Sequence, residues 1–253
     1  MNIIEYNGPV NRTLDLSLVD LFADLMGKAN GLKSQMLSVG ARFHIDGNDN
    51  HNRRYWEYFW TINFGKVINP FAEILDAGCG IGFFQYLLLY HFPNATVIGV
   101  DDGSLSPGFE ETCMDSANKL RVGSRYAPHK ASLEDMRVFR NESFDNIFCI
   151  SVIEHIKNWE KAFSEMCRVL KKSGTLSITF DFHKDDLPYE GYRRSFTTND
   201  ILIMAKIAKS WNMVTPYGEF LDLTDWNNPP IQLGPSSRDR YTFGVMFFRK
   251  NVS

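Results

Sequence analysis

Glu73-Ile-Leu-Asp-Ala-Gly-Cys-Gly-Ile-Gly-Phe-Phe84 decides the architecture. Its opening residues, through Asp76, form the short apolar run of a buried strand. Gly78, Gly80 and Gly82 follow at alternate positions, and a helix-compatible run starts directly afterwards. Glycine at such a turn admits positive φ and lets a ligand touch the backbone with no Cβ in the way. In open α/β sheets the ligand crevice lies beyond the carboxyl ends of the strands, where this turn must sit.

Two details select the ligand. A dinucleotide fingerprint, G-x-G-x-x-G or -A, needs a third small residue at position 83, and Phe83 stands there. Asp76, just before the turn, would repel a pyrophosphate but would accept an amino group or a sulfonium. The contrast favours S-adenosylmethionine over NAD. Downstream, Ala95-Thr-Val-Ile-Gly-Val-Asp-Asp102 is a β run ending in acid. An acid about 20 residues after a glycine loop is the ribose-binding arrangement of nucleotide α/β folds. Asp101 is the better ribose candidate, and Asp102 reads equally as a turn or capping residue.

Outward from this centre, strands are expected at 73–77, 95–101, 125–131, 144–151 and 174–182. Helices are expected at 82–92, 107–121, 159–171 and 198–209, with Asn158 as an N-cap. Apolar runs near 212–223 and 241–249 complete the count. Strands alternating with helices imply βαβ units and a parallel sheet. Upstream, Leu14, Leu18, Leu21, Phe22 and Leu25 recur at helical steps, and Gly31 is the expected stop. Residues 38–52 read as a loop. Residues 53–68 read as a second helix, dense in aromatics (Tyr55, Trp56, Tyr58, Phe59, Trp60) and ended by Asn69-Pro70. Such a stripe is usually core.

Composition narrows the classes. The 253 residues carry a formal net charge of -3, with 44% hydrophobic and 23% charged residues. No broad basic excess exists to displace counterions, which demotes nucleic-acid binding. The four cysteines show no C-x-x-C pairing and imply a reduced, cytoplasmic protein with no zinc site. Met1–Val10 lacks the form of a secretory signal, and Ile81–Phe92 is too short and too polar at Gln85 to span a bilayer. The expected partner is a small molecule, with neither nucleic acid nor membrane.

Four motifs together resemble the class I S-adenosylmethionine-dependent methyltransferases across roughly residues 72–250. L-D-A-G-C-G-I-G looks like the family's first motif, and G-V-D at 99–101 like its ribose-binding motif. Ser143-Phe-Asp-Asn-Ile-Phe-Cys-Ile-Ser-Val-Ile-Glu-His155 is similar to the fourth strand, and Arg168-Val-Leu-Lys-Lys-Ser-Gly-Thr175 to the turn into the fifth. The resemblance implies a Rossmann-like, seven-stranded, mostly parallel sheet with an antiparallel last strand. Residues 1–70 would form an N-terminal helical cap and 71–253 the cofactor-binding domain. Asp76, Gly78, Cys79, Gly80 and Gly82 would hold the methionine end, and Asp101, with Asp102 beside it, the ribose. Ser132 and Leu133 would line the adenine pocket. Ser132 stands where the family often has an acid, so Glu134, Asp135 or a backbone carbonyl is the alternative adenine contact. Ser151 would complete the wall, while Arg54 would meet the methionine carboxylate beside Tyr55 or Trp56.

His155, after the fourth strand, is the leading general base, because its titration range suits proton transfer near neutrality. A capping or loop-ordering role competes with it. His183 and Asp181 are rivals, and with Asp185 or Asp186 they would make a weak metal motif that reads better as a solvated loop. Arg193 and Arg194 would clamp an acidic substrate or pair with Asp185 and Asp186. The loop 224–240 is a candidate lid. The V-I-E-H form looks most like small-molecule methyltransferases of quinone, natural-product or glycan pathways. O-methylation is favoured because a histidine base is available. A catalytically silent adenosylmethionine-binding protein and an NAD-dependent oxidoreductase stand as alternatives.

Overall fold

The structure is a computed structural model that describes residues 16–43, 51–182, 195–215 and 242–252. Strands β1 (Glu73–Ala77), β2 (Thr96–Asp101), β3 (Tyr126–Lys130), β4 (Phe144–Ile150), β5 (Leu170–Phe182), β6 (Met213–Val214) and β7 (Thr242–Lys250) form one sheet. Their order is β3-β2-β1-β4-β5-β7-β6. β1 pairs in parallel with β2 and β4, and β4 in parallel with β5. β7 enters antiparallel between β5 and β6. This is the Rossmann-like sheet expected, with its reversed last strand.

Alternation along the strands divides the core in two. Ile74, Phe148 and Phe247 face one side; Leu75, Ile147, Cys149, Met246 and Phe248 face the other. The first face is covered by helices α1 (Leu16–Ser38), α2 (His51–Phe64), α3 (Phe84–His91) and α4 (Phe109–Lys119). The second is covered by α5 (Trp159–Val169) and α6 (Thr198–Ser210). A sheet covered on both faces explains why β1 is buried at every position after Glu73 rather than at alternate ones. The sheet order reverses between β1 and β4, and the crevice at that switch point receives the loops after both strands.

Several local readings needed correction. α1 does not stop at Gly31 but runs to Ser38. Leu25, Ala29, Leu32 and Met36 continue a buried face straight through the glycine, whereas Leu21, expected on that face, is exposed. Asn158 precedes α5 but makes no side-chain cap; its Nδ2 donates instead to Glu134 Oε2 at 2.7 Å. β5 begins at Leu170, earlier than expected, because the K-K-S-G turn is absorbed as an irregularity in its pairing with β4, with Ser173 at φ 63°. The lid candidate 224–240, the run 216–223, and Arg193, Arg194, Asp185, Asp186 and His183 lie outside the described residues.

Candidate active site

A cleft of about 1200 Å³ opens at the switch point. Its floor is the turn after β1. Gly78 and Cys79 each donate their backbone N–H to Val100 O, at 2.7 and 3.1 Å, which ties the turn to β2. Gly78 sits at φ 82°, and a Cβ there would come within 2.4 Å of Val152 Cγ1. The glycine turn and the segment after β4 are therefore interlocked. At Gly80 a Cβ would meet only Asp101 Oδ2, at 3.9 Å, so this residue faces open cleft. Phe83 is packed in the core beside Phe43 and Tyr58, so no third small residue of a dinucleotide turn exists.

Two acids face each other across the floor. Asp76 is only 3% exposed, and its Oδ2 has no hydrogen-bond partner among the described residues. Burial, with the Asp101 charge adding to it, pushes the Asp76 carboxyl up to about 8. Asp101 ends β2 and accepts the N–H of Gly103 on Oδ1 at 2.8 Å and that of Gly80 on Oδ2 at 3.1 Å. Burial still raises its carboxyl, against the pull of those two amides. Asp102 is an exposed turn residue whose Oδ1 accepts Ser104 N–H at 2.8 Å; hydrogen bonds to Ser104 hold its carboxyl below the usual range. Its side of the cleft also carries Ser104, Leu105 and Thr112.

Opposite lie Ser132, Leu133 and Glu134. Ser132 Oγ accepts Glu134 N–H at 3.2 Å, while Asp135 is turned to exposed Arg137 at 2.6 Å and does not line the cleft. The third side belongs to Ser151, Val152, His155, Ile156 and Lys157, a short helical turn after β4. Ser151 takes the left-handed region at φ 48°, an uncommon conformation for a residue with a side chain. His155 is exposed at the mouth, and its backbone N–H donates to Val152 O at 2.9 Å. Beneath it Glu154 is fully buried; burial and the nearby Asp181 charge raise its carboxyl well above the ordinary value.

Residues 75–178 match a family model described as a methyltransferase domain. This segment is similar to a methyltransferase domain. Pavine N-methyltransferase of Thalictrum flavum subsp. glaucum is 30% identical over 113 residues, which cover 44% of this chain and 30% of that protein. The chain spans less than half the length of the curated relatives it matches. Among solved structures, geranyl diphosphate C-methyltransferase from Streptomyces coelicolor A3(2) was crystallised with Mg2+, geranyl diphosphate and S-adenosyl-L-homocysteine. It superposes with a TM-score of 0.60 at 14% identity, over 79% of this chain and 80% of that one. The YcgJ protein of Bacillus subtilis gives 0.59 at 15% identity, over 79% and 100%. At such identities the likeness concerns the fold.

The fold brings Asp76, Gly78, Cys79, Gly80, Gly82, Asp101, Asp102, Ser132, Leu133, Ser151 and His155 to one cleft, and α2 adds Arg54. The side chain of Trp56 and all of His183 lie outside the described residues. Tyr55 does not line the cleft. Its hydroxyl points to Asn30 Oδ1 on α1, at 3.4 Å, while Tyr58, one turn on from Arg54, reaches the cleft and stacks on Phe84 at 4.8 Å. Asp181 belongs to β5 and is buried. Among the described residues no cluster of three histidines, cysteines or acids could hold a metal ion.

Sequence reasoning missed Glu57. This acid is fully buried in α2, and its Oε2 accepts Ser151 Oγ at 2.8 Å and Thr179 Oγ1 at 2.5 Å. Arg54 Nη1 lies 3.2 Å from its Oε1. The signal was present: an acid three residues after an arginine, inside a run of aromatics that the core was bound to claim.

Proposed function

We propose that this protein transfers a methyl group from S-adenosylmethionine to a small-molecule acceptor, with residues 1–70 capping the cleft and 71–253 forming the catalytic domain. One observation carries the reading: Asp76, a buried carboxyl lining the cleft, has an oxygen without a partner among the described residues and faces a second acid. A ligand with positive charge relieves that arrangement, and a pyrophosphate aggravates it. The residues present therefore fit the sulfonium nucleoside. Asp76 would take its ammonium group, with Gly78, Cys79, Gly80 and Gly82 close around the chain. Asp101, and Asp102 beside it, would accept the ribose hydroxyls. Ser132, Leu133 and Glu134 would border the adenine, and Ser151, Arg54 and Trp56 the methionine tail.

Bound S-adenosylmethionine supplies an electrophilic methyl carbon, and the cofactor carries the hard chemistry. The chain's task is to align an acceptor and exclude water, and orientation alone contributes on the order of 7–11 kcal/mol in favourable cases. The cleft exceeds the roughly 300–1,000 Å³ that one drug-sized ligand fills, so an acceptor has room beside the cofactor. His155, exposed on that side, would take the proton of an acceptor hydroxyl, and His183 is its rival. A histidine base favours O-methylation of a sugar, quinone or natural-product precursor. Four buried thiols and no disulfide fit a cytoplasmic setting, and no described helix is long and apolar enough to cross a membrane.

Titration calorimetry with S-adenosylmethionine, S-adenosylhomocysteine and NAD tests the reading. Binding of the first two and not the third is expected; binding of NAD alone would overturn it. Cofactor binding with no methyl transfer to any panel of hydroxyl and amine acceptors would favour the silent-binder alternative.

A further inference from the structure

Building on the proposed cofactor, we infer that Glu57 is a positioning residue that holds Arg54 for the carboxylate of the methionine tail, so that α2 selects a complete aminoacyl nucleoside over a truncated one. Glu57 is 0% exposed, and a buried carboxylate is retained only when it is well partnered. Its partners come from three elements. Ser151 Oγ, after β4, and Thr179 Oγ1, in β5, both donate to Oε2. Arg54 Nη1, from the preceding turn of α2, lies 3.2 and 3.4 Å from the two carboxylate oxygens. Thr179 reaches further, since its Oγ1 also accepts Ser151 N–H at 3.0 Å. Glu57 thus ties α2 to β5 and to the residue that follows β4.

Both residues next to Glu57 that reach the cleft, Arg54 and Ser151, belong to its lining. The Arg54 side chain is only 24% exposed, and a guanidinium offers five donors in a fixed fork. One edge can stay on Glu57 while another receives an incoming carboxylate. Without Glu57 the arginine loses an anion that holds its guanidinium at the cleft. Asp76 serves the ammonium end of the same tail, so recognition of both charges would be divided between the strand floor and α2.

The test compares two nucleosides by calorimetry. S-adenosylhomocysteine has the full amino-acid tail, and 5′-methylthioadenosine has the same nucleoside and sulfur without it. Glu57→Gln keeps an oxygen to accept from Ser151 and Thr179 but removes the charge beside Arg54. Its affinity for S-adenosylhomocysteine should fall roughly tenfold to a hundredfold, the range of a charge-assisted hydrogen bond, with methylthioadenosine binding unchanged. Arg54→Met should show the same selective loss, and the double variant should lose little more than Arg54→Met alone, because the two act as one unit. Should Glu57→Gln fail to fold, Thr179→Val, which removes one donor and keeps the charge, should reproduce the selectivity at smaller size. Equal weakening of both nucleosides, or additive losses in the double variant, would overturn the inference and leave Glu57 a purely structural acid. Wild-type protein that binds neither nucleoside would instead remove the proposed function beneath it.

Discussion

Asp76→Asn should make the empty protein more stable while abolishing its affinity for cofactor. Asp76 lies at the end of β1, and its carboxyl is raised from 3.8 to about 8, first by burial and then by Asp101. A folded value above the unfolded one means that the group favours folding only while protonated. Its burden is absent below pH 4, grows as pH climbs from 4 to 8, and is constant beyond. At pH 7 the unfolded chain carries a charged Asp76 and the folded chain a largely protonated one. That difference costs about 4 kcal/mol, at about 1.36 kcal/mol for each pH unit between 3.8 and 7. Asparagine is close in shape and has no charge to give up. Urea unfolding at a series of pH values should therefore show a gap in favour of Asp76→Asn that is near zero at pH 4 and widest at pH 8 and above. Calorimetry should show the counterpart in the wild type, because a cationic ligand restores the ionised acid and releases up to one proton at pH 7. A gap independent of pH, or a variant less stable than wild type at pH 8, would refute the electrostatic account of the floor.

Other residues yield sharper or coarser outcomes. Asp101→Ala removes a charged acceptor worth about 1.5–3 kcal/mol, so cofactor affinity should fall at least tenfold by titration; unchanged affinity would remove Asp101 from the ribose site. His155→Ala should lower turnover by about 10²–10⁴-fold while cofactor affinity holds, and equal loss of both would count against a base. Gly78→Ala places a methyl 2.4 Å from Val152 in a left-handed backbone, with an expected loss of about 2–5 kcal/mol in urea unfolding. Pairing it with Val152→Ala, whose Cβ would still lie 2.9 Å away, should recover only part of the loss, and full recovery would mean that the backbone itself is not strained.

The floor of the cleft was legible because its requirements are local. A strand, three alternate glycines and an acid must adjoin in sequence for the turn to exist, and Gly78, Gly80 and Asp76 sit where that logic puts them. Asp101 followed from the same regularity one strand over. What could not be read depended on which face of a helix meets which strand. The spacing of α2 left Tyr55 and Trp56 as alternatives for the pocket, and packing against α1 and α3 turned Tyr55 to Asn30 and brought Tyr58 onto Phe84. Glu57 drew no reading from the sequence, because its partners Ser151 and Thr179 lie 94 and 122 positions away. Gly31 was a reasonable stop by propensity, yet Leu32 and Met36 bury enough apolar surface to carry α1 past it.

The contact between Gly78 and Val152 also bears on how this protein could be redesigned. The turn proposed to lie under the cofactor cannot be rebuilt without disturbing the segment after β4, so a mutagenesis library that randomises positions 78 and 152 would mostly return unfolded chains. Leu105 and Lys157 border the same space from exposed positions. Diversity aimed at a new acceptor belongs there, where failure costs activity and spares the scaffold.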